Sequence, residues 1–400
     1  MPKCLLASLI IKVSCQGSLN GSNVYNSSSI RSSKVLSLFA NAGFGEFYFQ
    51  NEGFDVVVAN ELLQDRLDFY EKFHSNSTNL ICGDIADSIT KNNIQAACSK
   101  HGKIDLIMAT PPCQGMSIAN AQKDKDDIRN TLIVHAMEVF NMVQPDYMLI
   151  ENVPQMGKTY INYNGSAIKI TDFISSQLPS GFKCECKVLN AKDYGTPQSR
   201  SRSICLISKN GVWKHPQKHK TEKTVRVIDD FAKFPTLDAG ENSDLYGIPW
   251  HFAPPHNPNH IEWMTHTQTG ETAFNNPVHF PHVIEDGKKR MISGFKTTYK
   301  RMEWDKPAPT VTMTNGSISS QNNVHPGRKY TDGTYSDARV LTIRELLVIC
   351  GLPIDCLDKF SKYEDGKFKY KYSPNFIRKL LGEMFPPKMA LSIVKQLQNI

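Results

Sequence analysis

The chain has 400 residues, of which 40% are hydrophobic and 21% charged, with a formal net charge of +7. That is long enough for two domains with cores of their own and too ordinary in composition for a disordered or fibrous protein. No apolar run approaches the length that spans a bilayer. The mild positive charge suits a polyanionic partner, but many proteins without one are equally basic.

Read in chain order, Cys4–Val13 is apolar but broken by Lys12, and no small-residue cleavage site follows, so it is not read as a secretion signal. The Ser/Asn/Gly-rich stretch that follows makes residues 1–33 a flexible lead-in. Short apolar runs then recur at Val35–Ala40, Asp55–Glu61, Leu80–Ile85, Ile104–Ala109 and Tyr147–Val153. Helix-like segments separate them: Gly45–Asn51, Leu62–Phe73, Ile89–Ser99 and Arg129–Val143. Strands alternating with helices at this pitch predict βαβ units and a mostly parallel sheet with helices on both faces. Lys183–Leu189 and Ser203–Ser208 read as two further strands. After Lys209 helical periodicity fades up to about Pro326, and eight of the twelve histidines fall between Lys209 and Lys300. Residues 210–326 are therefore expected to form a second, irregular domain. Residues 327–400 are expected to return to the first, with helices over Thr342–Cys350, Asn375–Leu381 and Pro387–Asn399. The ten cysteines are scattered through apolar runs and are expected to be reduced. Cys184 and Cys186 share one strand face but are too close for a C-x-x-C metal motif. The i, i+4 pairs His215/His219 and His256/His260 lack further ligands and read as polar surface or partner contacts, so no metal site is expected.

The chemistry gathers at the ends of the predicted strands, where open α/β sheets bind their ligands. The first strand ends in a glycine-bearing turn, Phe39-Ala40-Asn41-Ala42-Gly43, that lets a ligand approach the backbone closely. Glu61, at the end of the second strand, stands where an acidic residue meets ribose hydroxyls in nucleotide sites. Asp84 ends the third strand. The fourth runs into Pro111-Pro112-Cys113-Gln114, a thiol on a stiffened loop. The fifth ends in Glu151-Asn152-Val153, placing a partly desolvated carboxylate beside that thiol. Gln198-Ser199-Arg200-Ser201-Arg202 sets two guanidinium groups at period two before the last strand. Lys288-Lys289-Arg290 is a candidate phosphate patch.

These blocks, with Arg339–Gly351 and Leu381–Pro387, resemble in kind and order the DNA (cytosine-5) methyltransferase family, bacterial restriction–modification type. The resemblance implies a Rossmann-like α/β sheet that binds S-adenosyl-L-methionine, with a smaller irregular target-recognition domain. It implies that Cys113 attacks C6 of a flipped cytosine in duplex DNA, with Glu151, Arg200 and Arg202 as catalytic partners. Cofactor contacts fall on Phe39, Glu61 and Asp84, with Ala40, Asn41, Gly43, Leu62, Ile85 and Pro111 beside them. DNA contacts fall on Gln114, Ser117, Thr310, Lys288, Lys289 and Arg290. It further implies a cytoplasmic monomer acting on double-stranded DNA, with room for a cognate endonuclease that shares the site without a stable complex. Three positions depart from the family pattern: Asn41 and Phe44 replace usual glycines, and Glu383 stands where asparagine is commoner.

Three other readings stay open on the residues alone. A tRNA cytosine-5 methyltransferase would use the same blocks on RNA. A binding protein that has lost catalysis would not need the intact Cys113, Glu151 and arginine set. A nicotinamide-dependent dehydrogenase would explain the first turn but leave Cys113 without a task.

Overall fold

A computed structural model describes residues 32–74, 78–112 and 131–400, apart from the side chains of 231, 232 and 399. Its centre is a seven-stranded sheet. β1 (Ser33–Leu38), β2 (Phe54–Glu61), β3 (Asn79–Cys82), β4 (Leu106–Ala109) and β5 (Tyr147–Asn152) are parallel. The hairpin β6 (Tyr160–Tyr163) and β7 (Ser166–Lys169) follows as a separate pair. The sheet is then completed by β8 (Phe182–Asn190) and β9 (Ser201–Lys209), with β9 inserted antiparallel between β5 and β8. The strand order is β3-β2-β1-β4-β5-β9-β8. The chain leaves β1 toward β2 on one side and returns to β4 on the other. A crevice therefore opens at the carboxyl ends of β1 and β4, the topological switch point.

The apolar runs read as they do because both faces of the sheet are covered. On one face Leu36, Leu38, Ile107, Met148 and Ile150 pack with Ile94 of α2 (Ser88–Lys100), Phe140 of α3 (Leu132–Val143) and Phe173 of α4 (Ile170–Ser176). On the other, Val35, Val56, Leu106, Met108 and Leu149 meet Tyr70 of α1 (Gln64–His74). That layer is closed by Met389 and Ile393 of the last helix.

After Lys209 the regular elements are short. They comprise α5 (Pro258–Thr265), the hairpin of β10 (His282–Glu285) and β11 (Lys288–Met291), and α6 (Ile343–Cys350). The hairpin of β12 (Ser361–Glu364) and β13 (Lys367–Tyr370) comes next, then α7 (Pro374–Glu383) and α8 (Pro387–Val394). Val225, Trp250, Leu346 and Leu381 share one apolar cluster with Phe44, Phe69 and Phe73, so this part of the chain packs directly on the first turn and α1. Among the described residues no helix is long and apolar enough to cross a membrane.

The structure corrects several expectations. Gly45–Asn51 is not one helix but two 3-10 turns, Phe44–Glu46 and Gln50–Glu52. Its aromatic side chains pack in different directions, Phe44 against Phe69 and Phe73, Phe49 against Phe54. The helix expected over Pro387–Asn399 stops at Val394 and finishes as a 3-10 turn. Cys186 and Cys205 are joined as a disulfide rather than free, because the antiparallel register sets them face to face. Cys184 Sγ lies 3.6 Å from Cys186 Sγ, and the three sulfurs fall within 4.8 Å of one another. Three hairpins add to the expected elements. Each turns on an Asn-Gly or Asp-Gly pair with both residues at positive φ: Asn164-Gly165, Asp286-Gly287 and Asp365-Gly366. That is the two-residue turn that matches strand twist.

Burial of charge ties the second half together. Arg339, wholly buried, donates to Asp337 at 2.6 Å, to both oxygens of Glu345 at 2.8 and 3.0 Å and to Leu237 O. Glu345 also closes the capping box of α6 with Thr342. Burial works to raise both carboxyls, but His325 and Arg339 beside Asp337, and Arg339 and His325 beside Glu345, hold them well below the usual carboxylate range. Replacing Arg339 by leucine strands the buried Glu345 carboxylate and leaves Asp337 with Arg328 as its only arginine partner. The expected cost is about 3–5 kcal/mol, read by urea unfolding at pH 7.

Glu46, beneath the first turn, is the opposite case. It is buried without a cation, reached by Ser37 Oγ and by Tyr70 OH at 2.5 Å, and burial lifts its pKa to about 7. The native state keeps this proton while the unfolded chain releases it near the ordinary carboxylate value, so stability falls as pH rises toward 7. The Glu46→Gln variant should lose that dependence. The wild type should drop by about 3 kcal/mol relative to the variant between pH 4.5 and 8, measured as the difference in unfolding free energy.

Candidate active site

The turn after β1 holds Phe39, Asn41 and Gly43 at φ of 58°, 51° and 72°. Positive φ at two non-glycine residues is costly and concentrates where a site shapes its backbone. Gly43 is required by contact as well. A Cβ there would lie 2.1 Å from His74 Nε2, the atom that meets Gly43 O at 2.9 Å. Thr110, after β4, donates to Phe39 O at 3.0 Å and pins the turn across the switch point.

Glu61 is buried at the end of β2. Its Oε2 accepts from Asn41 N at 2.9 Å and its Oε1 from Leu63 N at 3.2 Å. The carboxylate is thus oriented by the backbone on both sides. Ala40 and Ile85 are buried, Leu62 is exposed, and Asp84 is exposed with Oδ1 accepting from Ala86 N. The structure brings Phe39, Ala40, Asn41, Gly43 and Glu61 together directly, and Asp84 and Ile85 follow the neighbouring strand.

Pro111 leaves β4 buried, and Asn152 Nδ2 donates to its carbonyl at 3.1 Å. Asn152 Oδ1 accepts from Val153 N at 2.8 Å, which fixes the amide. Asn152, next to Glu151, therefore fixes Pro111, two residues before Cys113 in the sequence. Cys113, Gln114 and Ser117 lie outside the described residues.

Glu151 faces Ile204 in the β5–β9 register, which makes Arg202 its diagonal neighbour on the same face. Arg202 Nε lies 2.7 Å from Glu151 Oε1, and both side chains are about one-tenth exposed. Burial raises the Glu151 pKa, and the charges of Arg202 and Arg200 only partly oppose that rise. The result is a carboxyl held in place by a cation yet inclined to keep a proton.

Arg200 acts elsewhere. Its two terminal nitrogens donate to Val311 O at 2.8 Å and Gly382 O at 2.9 Å, and Gln198 Oε1 accepts from Val311 N at 3.2 Å. Gln198 and Arg200 thus grip one residue of the Pro309–Thr312 segment by both its backbone groups. Thr310 gives its hydroxyl to Ser199 O at 2.8 Å. Lys288, Lys289 and Arg290 are exposed on β11, where Arg290 is paired with Glu285 at 2.6 Å.

Two of the departures noted in the sequence, Asn41 and Glu383, meet. Glu383 forms an ion pair with Arg66 at 2.7 Å and lies 3.4 Å from Asn41 Nδ2. Neither sequence spacing nor charge pattern joins positions so far apart in the chain.

Comparison with known proteins decides the family. The C-5 cytosine-specific DNA methylase model matches residues 33–399. The chain belongs to that family. It is similar to the Type II methyltransferase M1.HgaI of Avibacterium volantium, 38% identical over 91% of this chain and 98% of that protein. It is also similar to M1.HphI of Haemophilus parahaemolyticus, 30% identical over 80% and 77% of the two chains. Among solved structures, a DNA modification methyltransferase encoded within an E. coli prophage aligns with a TM-score of 0.63 at 20% identity, covering 92% of this chain and 99% of that one. That likeness shows a shared fold. As a DNA cytosine methyltransferase, the enzyme needs a methyl donor and a way to activate C5, and the switch-point crevice stands beside Glu151.

For this family member the Glu151–Arg202 pair is the group to perturb. The Arg202→Met variant removes the cation that orients the carboxyl. It should lower methyl transfer by at least about 100-fold in single-turnover assays, and the lost pairing should raise the Glu151 pKa further, seen by carboxyl-carbon NMR.

Proposed function

We propose that the enzyme transfers a methyl group from S-adenosyl-L-methionine to C5 of a cytosine flipped out of a specific duplex sequence, through a transient bond from Cys113 to C6. The observation that carries the reading is the buried Glu151–Arg202 pair at the end of β5, one strand from the Pro111-Pro112-Cys113 segment.

The residues at the β1 and β2 ends fit the donor. Each Glu61 oxygen accepts one backbone N–H and keeps a lone pair for a ribose hydroxyl, and the glycine turn leaves room for a ligand against the backbone. When bound, the cofactor supplies an electrophilic sulfonium methyl. Cytosine C5 is a poor nucleophile until C6 is saturated, so Cys113 Sγ adds there and breaks the ring conjugation. Negative charge gathering at N3 is met by the proton that Glu151 retains. Arg202 holds Glu151 in line and stands as a second donor toward O2. C5 would then take the methyl, the donor leaving as a neutral thioether, and loss of the C5 proton to water expels Cys113 as the thiolate and returns the N3 proton to Glu151. Both ring faces are covered in a stacked duplex, so the base must leave the helix first.

Arg200 positions rather than reacts, because both its terminal nitrogens are turned to the backbone carbonyls of Val311 and Gly382. Thr310 gives its hydroxyl proton to Ser199 O, so toward DNA it offers acceptor lone pairs, its backbone and its methyl group. The exposed Lys288 and Lys289 supply phosphate contacts. The Type II methyltransferases among the relatives support a role in restriction–modification, in which the enzyme would act as a cytoplasmic monomer with any cognate endonuclease reading the same site separately.

The test is transfer of labelled methyl from S-adenosylmethionine to duplex DNA and, side by side, to tRNA. Duplex DNA should accept label and the Cys113→Ala variant should transfer none. Duplexes with 5-fluorocytosine at the target should form a conjugate that survives denaturation. Unchanged transfer by the variant would overturn the covalent route, and preferential labelling of tRNA would overturn the substrate.

A further inference from the structure

Asn41 carries a feature that the rest of the turn does not. Its Oδ1 is buried and has no hydrogen-bond partner among the described residues. Its other amide atom, Nδ2, faces Glu383 Oε2 at 3.4 Å, and Glu383 is anchored by Arg66 at 2.7 Å. An ionised carboxylate only accepts, so the amide must turn its nitrogen toward Glu383 and its oxygen away. The backbone N–H of the same residue is held by Glu61. Asn41 is thus fixed at both ends, at the switch point, with one acceptor left over.

A buried acceptor without a partner is costly and persists where something later satisfies it. The left-handed backbone at Asn41, φ 51°, points the same way, because glycine would hold that conformation at no cost. The asparagine there has a side chain that the folded protein leaves half-used.

We propose that Arg66, Glu383 and Asn41 form a relay that aims the Asn41 carbonyl oxygen at a hydrogen-bond donor of the bound cofactor, a hydroxyl or the ammonium group. The inference rests on the methyl-donor reading above. Arg66 fixes Glu383, Glu383 fixes the Asn41 amide, and Asn41 makes the contact. Asn41 is the binding residue, and Glu383 and Arg66 are positioning residues that act through it. The paired departures from the family pattern are then one device: the asparagine supplies an acceptor, and the glutamate supplies the charge that orients it.

The relay is tested by calorimetric titration of S-adenosylmethionine and S-adenosylhomocysteine into wild-type protein, Asn41→Gly, Glu383→Gln and the double variant, without DNA. Glycine accepts φ 51°, so Asn41→Gly should fold, and without the orphan acceptor its ligand-free melting temperature should match or exceed that of the wild type. Its affinity should fall about three- to tenfold for both ligands, since both carry the same hydroxyl and ammonium donors. Glu383→Gln should weaken binding in the wild-type background and have no further effect once Asn41 is glycine. Undiminished affinity in Asn41→Gly would overturn the relay, and so would effects that simply multiply in the double variant. A loss confined to S-adenosylmethionine would overturn it too, by showing that the position senses the sulfonium charge. Wild-type protein that binds neither ligand would overturn the methyl-donor reading, and the relay with it.

Discussion

A carboxyl taken out of water and held beside a guanidinium, Glu151 against Arg202, is the constraint on which the site depends. Neither charge would sit at this depth alone, since burying an unpaired ion is prohibitive. The pairing exists because β9 runs antiparallel to β5, so that a residue two positions beyond the register partner of Glu151 falls on the same face. A parallel strand at that edge would have put the arginine elsewhere. The direction of one strand therefore decides whether the chemistry can be assembled.

The supporting structure solves a second problem, keeping distant segments of chain against that edge. Gln198 and Arg200 bind the backbone of Val311, and Arg200 continues to Gly382. The fit is close enough that a Cβ on Gly382 would lie 2.4 Å from Thr312 O. Farther out, Arg339 neutralises Asp337 and Glu345 while Arg378 donates to Asn315 Oδ1 and Leu341 O. These buried guanidinium groups act as fasteners between loops that lack regular backbone pairing. They explain how a part of the chain with few strands and short helices still holds a fixed shape. An isolated charge pair on the surface would contribute little to that task.

Much of this was legible in the residues. Both faces of the sheet are buried, so each strand appears as an apolar run, and its polar terminus marks the edge where ligands bind. Glu61, Glu151 and the Pro111–Cys113 segment stand out for that reason. The Asn-Gly and Asp-Gly turns of the three hairpins were equally visible, but they lie among short, polar, mostly exposed strands that give no apolar signal. The disulfide was hidden because pairing of Cys186 with Cys205 depends on register, which a single mismatch in strand alignment would abolish.

What the sequence determined by itself was the inventory and its order: five parallel strands, an acid or a thiol at the end of the right ones, and an alternating Gln-x-Arg-x-Arg segment. Local patterning carries that information because burial and chain direction impose it residue by residue. Only the tertiary structure decided the division of labour, in which Arg202 meets Glu151 while Arg200 turns away to Val311 and Gly382, and in which Asn41 meets Glu383. Those contacts join segments far apart in the chain, and side-chain direction across such distances is set by packing, which no local pattern records.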